Sequence, residues 1–253
     1  MVKSMCETKA LFNALFWEPY FKERFVDRVA MFVRIVEERL LPAFEGIEDE
    51  AEQFRDRRWN EICNSCGSPD SDLGDFAEKV EEDAADYYMA LSDTRQAVIS
   101  MAVASLYHLF EQQTLFLLRR EVLDLSEEDD VKLMKIGVLE RRLAQHGILL
   151  RKFDSWPIIN EMRLVCNVIK HAEGGSALEL RALRPDLFEN PMSSAIGARF
   201  TIPVENARIY LPLLGEDLYP SLDDLKKYGE AIGRFWDELW SACMPGDCGL
   251  DSF

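Results

Sequence analysis

The sequence predicts an all-α protein, a bundle of long antiparallel helices that carries one small β-hairpin. Apolar residues recur at spacings of three or four along most of the chain, and turn-forming residues are confined to a few short stretches. Strand-like composition occurs only near residues 199–210. With 253 residues and 48% hydrophobic content, the chain is long enough to fold around a sizeable core without metal or disulfide support.

The first long helix is predicted over residues 21–44. Its apolar stripe has the spacing of an amphipathic helix, and Pro42 is expected to end it. The stripe consists of Phe25, Val29, Phe32, Val36 and Leu40. A stretch rich in turn formers follows at 63–72, so we expect an N-terminal helical segment over 1–70 and a main bundle over 75–245.

Two helices are predicted in the next part of the chain. A short acidic helix covers about 75–88. Asp93 or Thr94 has the chemistry of an N-cap, because its side-chain oxygen can accept a backbone N–H bond. We therefore expect a separate long helix to begin there and to run to about Val122.

Further helices are expected over 127–145 and from Trp156-Pro157 onward, where proline suits a first helical turn. Glu173-Gly174-Gly175 is typical of a helix end. Ser176 and Glu179 have the spacing of a capping box, which predicts that the next helix begins at Ser176.

The C-terminal part contains the predicted hairpin and one more helix. Residues 199–210 are rich in β-branched and aromatic residues around Glu205-Asn206, and Pro203 restricts them to an edge strand or an irregular strand. Residues 221–243 have the apolar spacing of a final amphipathic helix.

The helix that ends at Glu173-Gly174-Gly175 combines an apolar stripe with a compact polar cluster. At about 100° per residue, its polar members fall within an arc of roughly 80° to 100°. These are Arg163, Asn167, Lys170 and His171. The cluster is the first candidate site of the chain.

Two stretches carry a resemblance to a known family. SLYHLFEQQTLFLL in the long helix and MRLVCNVIKHAEG in the later one resemble the HEPN superfamily, over roughly residues 90–245. Many members of that superfamily are metal-independent endoribonucleases of bacterial toxin–antitoxin and phage-defence systems. The resemblance implies a cytoplasmic helical bundle, a homodimer, RNA as a partner, and an antitoxin or other protein partner.

The nuclease motif of that superfamily is an arginine separated by four to six residues from a histidine. If His171 is the histidine, the arginine should stand at position 164, 165 or 166, where this sequence has Leu164, Val165 and Cys166. Asn167 matches the polar residue that often follows the arginine. The sequence therefore keeps the histidine and departs from the motif at the arginine.

The remaining polar residues still have the chemistry that RNA cleavage needs. His171 would transfer the proton, Arg163 or Lys170 would stabilise the phosphate, and Asn167 would orient either group. This hypothesis makes the chain a metal-independent endoribonuclease that uses no cofactor.

The alternative gives the same residues a structural role. Asn167 and His171 would form hydrogen bonds to the neighbouring long helix at Glu111 or His108 and so stabilise the bundle. The chain would then be a non-catalytic interaction or scaffold protein that keeps a HEPN-like bundle without the catalytic arginine.

Charge and cysteine content limit the other function classes. A formal net charge of −17 is incompatible with a broad nucleic-acid footprint, so RNA would have to meet a local patch such as Arg141-Arg142 with Arg151-Lys152. Such charges are also typical of solvated helix faces. The chain lacks an apolar run long enough for a membrane span and a clear secretory signal, which predicts a cytoplasmic protein.

A zinc site is the third alternative. Cys63-Asn64-Ser65-Cys66 has the spacing of two zinc ligands, and Cys243 with Cys248 would supply two more thiolates. A single such spacing is weak evidence, so the main prediction is a protein without a metal.

Overall fold

The computed structural model describes residues 12–65, 73–191 and 208–244. Across these three ranges the chain is helical or irregular and contains no β-strand, so the prediction of an all-α, helical-bundle protein is confirmed there. Most of the hairpin predicted at 199–210 lies outside the described residues. Its last three residues, 208–210, are irregular.

Contacts divide the chain into two compact units, each built from segments that are distant in sequence. Within the described residues, the first unit comprises 12–34, 103–166 and 222–244, and the second comprises 35–65, 73–102, 167–191 and 208–221. The division predicted from the sequence, 1–70 and 75–245, stays a prediction.

Helix formation near the N-terminus follows the predicted stripe. The described α-helices of this part are α1 at Ala14–Tyr20, α2 at Asp27–Ile35 and α3 at Ile47–Ser65. π-Helical turns at Phe21–Val26 and Val36–Leu40 flank α2. A 3₁₀ turn follows at Leu41–Phe44. The helix predicted over 21–44 is therefore confirmed, with a change of hydrogen-bond pattern at each π-helical turn.

The next helix, α4, is continuous from Leu73 to Leu117 over 45 residues. The predicted start of a new helix at Asp93 or Thr94 is wrong. The hydroxyl of Thr94 donates to the backbone oxygen of Ala90 at 2.7 Å, four residues earlier in the same helix. A hydroxyl bonded in this way stays within the helix and does not cap a new one. A π-helical turn at Leu118–Val122 extends α4 to the predicted end.

The later helices are α5 at Ile136–Ala144, α6 at Trp156–His171, α7 at Gly175–Leu183 and α8 at Leu222–Cys243. The helix predicted over 127–145 is shorter than expected, because Asp130 caps a 3₁₀ turn at Val131–Leu133 and Lys135 is extended. The predicted starts of α6 and α8 are confirmed to within one residue.

The end of α6 carries an unusual backbone conformation. Ala172 has a φ of 56°, in the left-handed region that favours glycine, and Gly174 then precedes α7 with a φ of 150°. The predicted capping box is wrong: Gly174 is the N-cap, and the hydroxyl of Ser176 accepts a hydrogen bond from the side-chain amide of Asn167 at 3.2 Å. Glycine at 174 allows α7 to begin one residue earlier than Ser176.

Aromatic packing forms the centre of the first unit. Phe25 and Phe110 pack around Trp236 of α8, whose ring is 1% exposed. The indole N–H of Trp236 donates to the side-chain oxygen of Gln113 at 2.9 Å, and the amide of Gln113 donates to the backbone oxygen of Phe25 at 3.3 Å. One buried glutamine on α4 therefore joins α8 to the N-terminal helical segment.

The N-terminal half of α6 is fixed to α8 at two levels. The carboxylate of Glu238 accepts hydrogen bonds from the backbone N–H of Asp154, at 2.8 Å, and from the backbone N–H and hydroxyl of Ser155. One turn into α6, the 6%-exposed Glu161 binds the ammonium of Lys227 at 2.9 and 3.0 Å. It also accepts a bond from the hydroxyl of Tyr228 at 2.9 Å.

The second unit joins α3 to the first half of α4 through side chains. Phe54 stacks on Tyr87 with ring centroids 4.5 Å apart, and Tyr87 donates to Glu50 at 2.6 Å. The loop at Gly215 approaches α4 so closely that a Cβ there would lie 2.2 Å from the backbone oxygen of Asp93. With a φ of 90°, only glycine suits that position.

None of the helices in the described ranges combines the length and the apolar character that a bilayer crossing requires.

We expect Gln113→Leu to lower the free energy of unfolding by about 2–3 kcal/mol, because it leaves the Trp236 N–H and the Phe25 carbonyl buried without their partner. Urea denaturation measures the change. Gln112→Leu is the matched control, since Gln112 is exposed on the same helix and its replacement should cost less than about 0.5 kcal/mol. Equal losses in the two variants would contradict the assigned role of Gln113.

We expect Ala172→Gly to raise the free energy of unfolding by about 0.5–1 kcal/mol. Relief of the left-handed strain exceeds the extra backbone entropy that glycine loses on folding. Ala85→Gly in the exposed interior of α4 is the control, and thermal and urea unfolding should show it less stable by about 1 kcal/mol. Destabilisation of both variants would show that Ala172 is not strained.

Candidate functional site

The candidate residues on α6 fall in different compact units, because the division lies between Cys166 and Asn167. Arg163 belongs to the first unit. Asn167, Lys170 and His171 belong to the second. We therefore describe the two groups separately.

In the second unit, Asn167 is held by its bond to Ser176, while Lys170 and His171 are exposed at the end of α6. His171 makes no hydrogen bond or ion pair within the described part of the chain. The bonds predicted from Asn167 and His171 to Glu111 or His108 stay a prediction; within its own unit, the side-chain amide of Asn167 donates to Ser176. Nothing described in this unit orients the imidazole of His171 for proton transfer.

The positions where the family motif would place its arginine lie in the core. Leu164, Val165 and Cys166 are each 0% exposed. An arginine at any of them would bury a charge without a partner, which costs several kcal/mol.

In the first unit, α4 and α6 bring a half-buried polar cluster together, which we call the His108 cluster. It consists of Tyr107, His108, Glu111, Asn160, Arg163 and Cys166. His108, Glu111 and Arg163 were predicted site residues; Tyr107, Asn160 and Cys166 were not.

His108 lies between a carboxylate and a thiol. Its Nδ1 is 3.3 Å from the Oε2 of Glu111, and its Nε2 is 3.8 Å from the Sγ of Cys166. The side chains of His108 and Glu111 are 39% and 40% exposed, so solvent and ligands reach the pair. A carboxylate at Nδ1 orients the ring and favours the tautomer in which Nε2 accepts a proton.

Arg163 is held by a neutral partner. Its Nε and one Nη donate to the Oδ1 of Asn160 at 3.1 and 2.9 Å, one helical turn away. Arg163 forms no ion pair among the residues that the structure describes. The guanidinium is thus fixed in position while its positive charge stays available to an anion.

Tyr107 connects the two halves of the cluster electrostatically. Burial, and to a smaller extent the nearby Glu111, raises the pKa of its phenol to about 12, while Arg163 opposes the shift. The ring of Tyr107 is 8% exposed and lies 5.9 Å from the ring of His108. Tyr107 therefore remains neutral at physiological pH.

Helical spacing explains why these residues share one surface. On α4, Glu111 lies four residues after Tyr107 and three after His108, and on α6 Arg163 lies three residues after Asn160. The sequence contains this spacing, but it does not show which turn of α4 faces which turn of α6.

The cysteines of the zinc alternative are only partly described. Cys66 and Cys248 lie outside the described ranges, Cys63 is exposed, and burial raises the pKa of the Cys243 thiol to about 12. In the described ranges, no group of three or more histidine, cysteine or acidic side chains is arranged to hold a metal ion.

Comparisons of the chain with protein-family models, with curated proteins and with solved structures find no match. A functional assignment therefore rests on the geometry of the chain.

We expect alkaline destabilisation to depend partly on Tyr107. Its folded-state pKa of about 12 is above the unfolded value of about 10, so its stabilising effect is complete below pH 10 and is lost as the pH rises through 12. Between pH 9 and 11, urea denaturation should show that the wild type loses about 1 kcal/mol more than Tyr107→Phe. An identical pH dependence in the two proteins would show that the phenol is not perturbed.

Proposed function

We propose that the chain is a HEPN-like protein of a bacterial stress or defence system that acts on RNA in the cytoplasm, with the His108 cluster as its reactive site. The supporting observation is the oriented pair of His108 and Glu111 in the same half-exposed cluster as an arginine that no carboxylate neutralises. These are the groups that metal-independent RNA cleavage requires.

The proposed reaction is an attack of a ribose 2′-hydroxyl on the adjacent phosphorus. The Nε2 of His108 exchanges its contact with the thiol of Cys166 for the ribose and takes the proton of the 2′-hydroxyl as the oxygen–phosphorus bond forms. The bond to the 5′-oxygen breaks, and that oxygen takes up a proton, which leaves a 2′,3′-cyclic phosphate and a 5′-hydroxyl. Glu111 stabilises the imidazolium that forms during the proton transfer.

Arg163 is the proposed phosphate ligand. Charge builds on the phosphate oxygens in the transition state, and a guanidinium that is already positioned stabilises it without reorganisation. Asn160 is the proposed positioning residue, because it accepts from Nε and Nη2 of Arg163, and Nη1 makes no hydrogen bond in the described ranges.

RNA recognition would be local in this acidic protein. The net charge of −17 repels a polyanion at long range, so binding would depend on the few cations of the cluster and should weaken only modestly with salt. We further propose a homodimer, as the resemblance implies, with a protein partner such as an antitoxin.

A second candidate is a non-catalytic interaction or scaffold protein. The observation that favours it is the burial of Leu164, Val165 and Cys166, which excludes the family arginine from its usual place beside His171. In that case the exposed end of α6, with Lys170 and His171, would contact a partner and would carry no reaction.

The three histidines of the chain permit a direct test. A mixed RNA pool is incubated in EDTA with the wild type and with His108→Ala, His171→Ala and His146→Ala, each checked for an unchanged melting temperature. Loss of the general base should lower the cleavage rate of His108→Ala at least about 100-fold. His171→Ala and His146→Ala should keep the wild-type rate, since both side chains are exposed and lie outside the cluster.

Arg163 provides the second part of this test. Arg163→Gln should lower the rate about 100-fold or more, and Arg163→Lys should restore part of it, because the effect depends on positive charge. Cleavage that is lost only in His171→Ala would assign the reaction to the family position. No cleavage by the wild type would favour the scaffold protein.

A further inference from the structure

The first unit contains a groove of about 420 Å³ that shares no residue with the His108 cluster. It lies between the last turns of α5 and the 3₁₀ turn at Leu150–Lys152. Its lining residues are Glu140, Arg141, Ala144, Leu149, Leu150, Arg151 and Lys152. This volume is in the range of pockets that hold small molecules.

A tight reversal after α5 forms the groove. Gly147 has a φ of 82°, and the backbone N–H groups of Gly147 and Ile148 donate to Ala144 and Leu143 at 3.0 and 3.1 Å. This pattern is that of a helix C-terminus closed by glycine. It directs the following residues back alongside α5, where Leu150 is buried and anchors the turn.

The floor of the groove is aliphatic and accessible. Leu149 is 42% exposed and Ala144 is also exposed, while Leu150 closes the floor from below. An apolar chain that covered these side chains would remove apolar surface from water, at about 25 cal/mol per Å². The lining contains no aromatic ring.

The charged residues of the lining are unequally paired. Arg151 binds the carboxylate of Glu140 through Nε at 2.8 Å and through Nη2 at 3.3 Å, so these two charges neutralise each other. Arg141 and Lys152 are exposed and form no ion pair in the described ranges. The groove therefore carries a local excess of two positive charges in a protein of net charge −17.

We propose that this groove binds a free aliphatic carboxylate of medium chain length. The chain would cover Ala144 and Leu149, and the carboxylate would be bound by Arg141 and Lys152. A single-stranded RNA fits less well, because it needs aromatic or guanidinium platforms for its bases and a longer track of cations. The proposal is independent of the RNA reaction.

Isothermal titration calorimetry with sodium decanoate, below its micelle concentration, tests the proposal. Decanoate should bind to one site on the purified full-length protein. Decanol has the alkyl chain without the charge, and acetate has the charge without the alkyl chain. Both should bind at least about tenfold more weakly than decanoate. Equal binding of decanol and decanoate would overturn the charge assignment. No binding of decanoate would overturn the proposal as a whole.

Two double variants locate the site. R141Q/K152Q should weaken decanoate binding about tenfold or more, because it removes both unpaired cations. R119Q/K132Q is the matched control, with the same loss of charge at exposed residues elsewhere on the first unit, and should bind as the wild type does. Leu149→Ser should also weaken binding, since it removes the exposed part of the floor.

Equal losses in the two double variants would show a general effect of net charge and would overturn the site. An oligonucleotide that binds in an R141Q/K152Q-dependent way, and that decanoate does not displace, would assign the groove to RNA and also overturn the proposal. Decanoate binding by His108→Ala keeps the two proposals distinguishable, because His108 does not line the groove and this variant should bind decanoate as the wild type does, whether or not the wild type cleaves RNA.

Discussion

The hydrogen bond from Trp236 to Gln113 is the constraint on which the first unit depends. Gln113 lies among aromatic side chains, where an amide without hydrogen-bond partners would destabilise the fold. Its side chain accepts a hydrogen bond from the indole N–H of Trp236 and donates one to the backbone oxygen of Phe25. The bond sets the position of α8 along α4. Since α8 also holds the start of α6 through Glu238, the register of α6 against α4 follows from it.

That register decides the chemistry of the His108 cluster. His108 and Glu111 come from α4, whereas Asn160 and Arg163 come from α6, so a displacement of either helix by one turn would separate them. The bond of Glu161 to Lys227 and Tyr228 adds a second fixed point within the same helix. A buried carboxylate of this kind is tolerated because both of its partners are present. Buried hydrogen bonds of Gln113 and Glu161 therefore fix the positions of the half-exposed residues of the His108 cluster.

The core also explains which residue types the fold excludes. Leu164, Val165 and Cys166 are fully buried, so this turn of α6 favours apolar or small side chains. Arg163 stands at the edge of that core, where its guanidinium reaches Asn160 and remains partly exposed. Because the net charge of the protein repels anions, an anionic ligand would depend on cations held in fixed positions, such as Arg163. The His108 cluster and the groove at α5 are local exceptions to that repulsion.

Much of the helical structure was predictable from the sequence by itself. Periodic apolar residues predict the helix over 21–44, α6 and α8, because burial of one helix face is a local pattern with a period of 3.6 residues. The end of α6 near Glu173-Gly174-Gly175 was also predictable, although the left-handed residue is Ala172, where sequence rules favour glycine. The predictions of a helix start at Thr94 and of a capping box at Ser176 were wrong, because a hydroxyl group can form hydrogen bonds with several different partners. Only the packing decides which partner it binds.

The pairing of His108 with Glu111 was within reach of the sequence, since residues three apart on a helix are neighbours. The sequence could not predict that Cys166 approaches His108. It also could not predict that the charges of Arg163 and Glu111 act on the phenol of Tyr107. Those contacts depend on the rotation and register of α6 against α4. Hydrogen bonds to α8 fix both helices: Gln113 of α4 and Glu161 of α6 bind residues of α8, and Glu238 of α8 binds the start of α6. The sequence by itself determined which residues each helix presents on one face, and only the tertiary structure decided which faces meet.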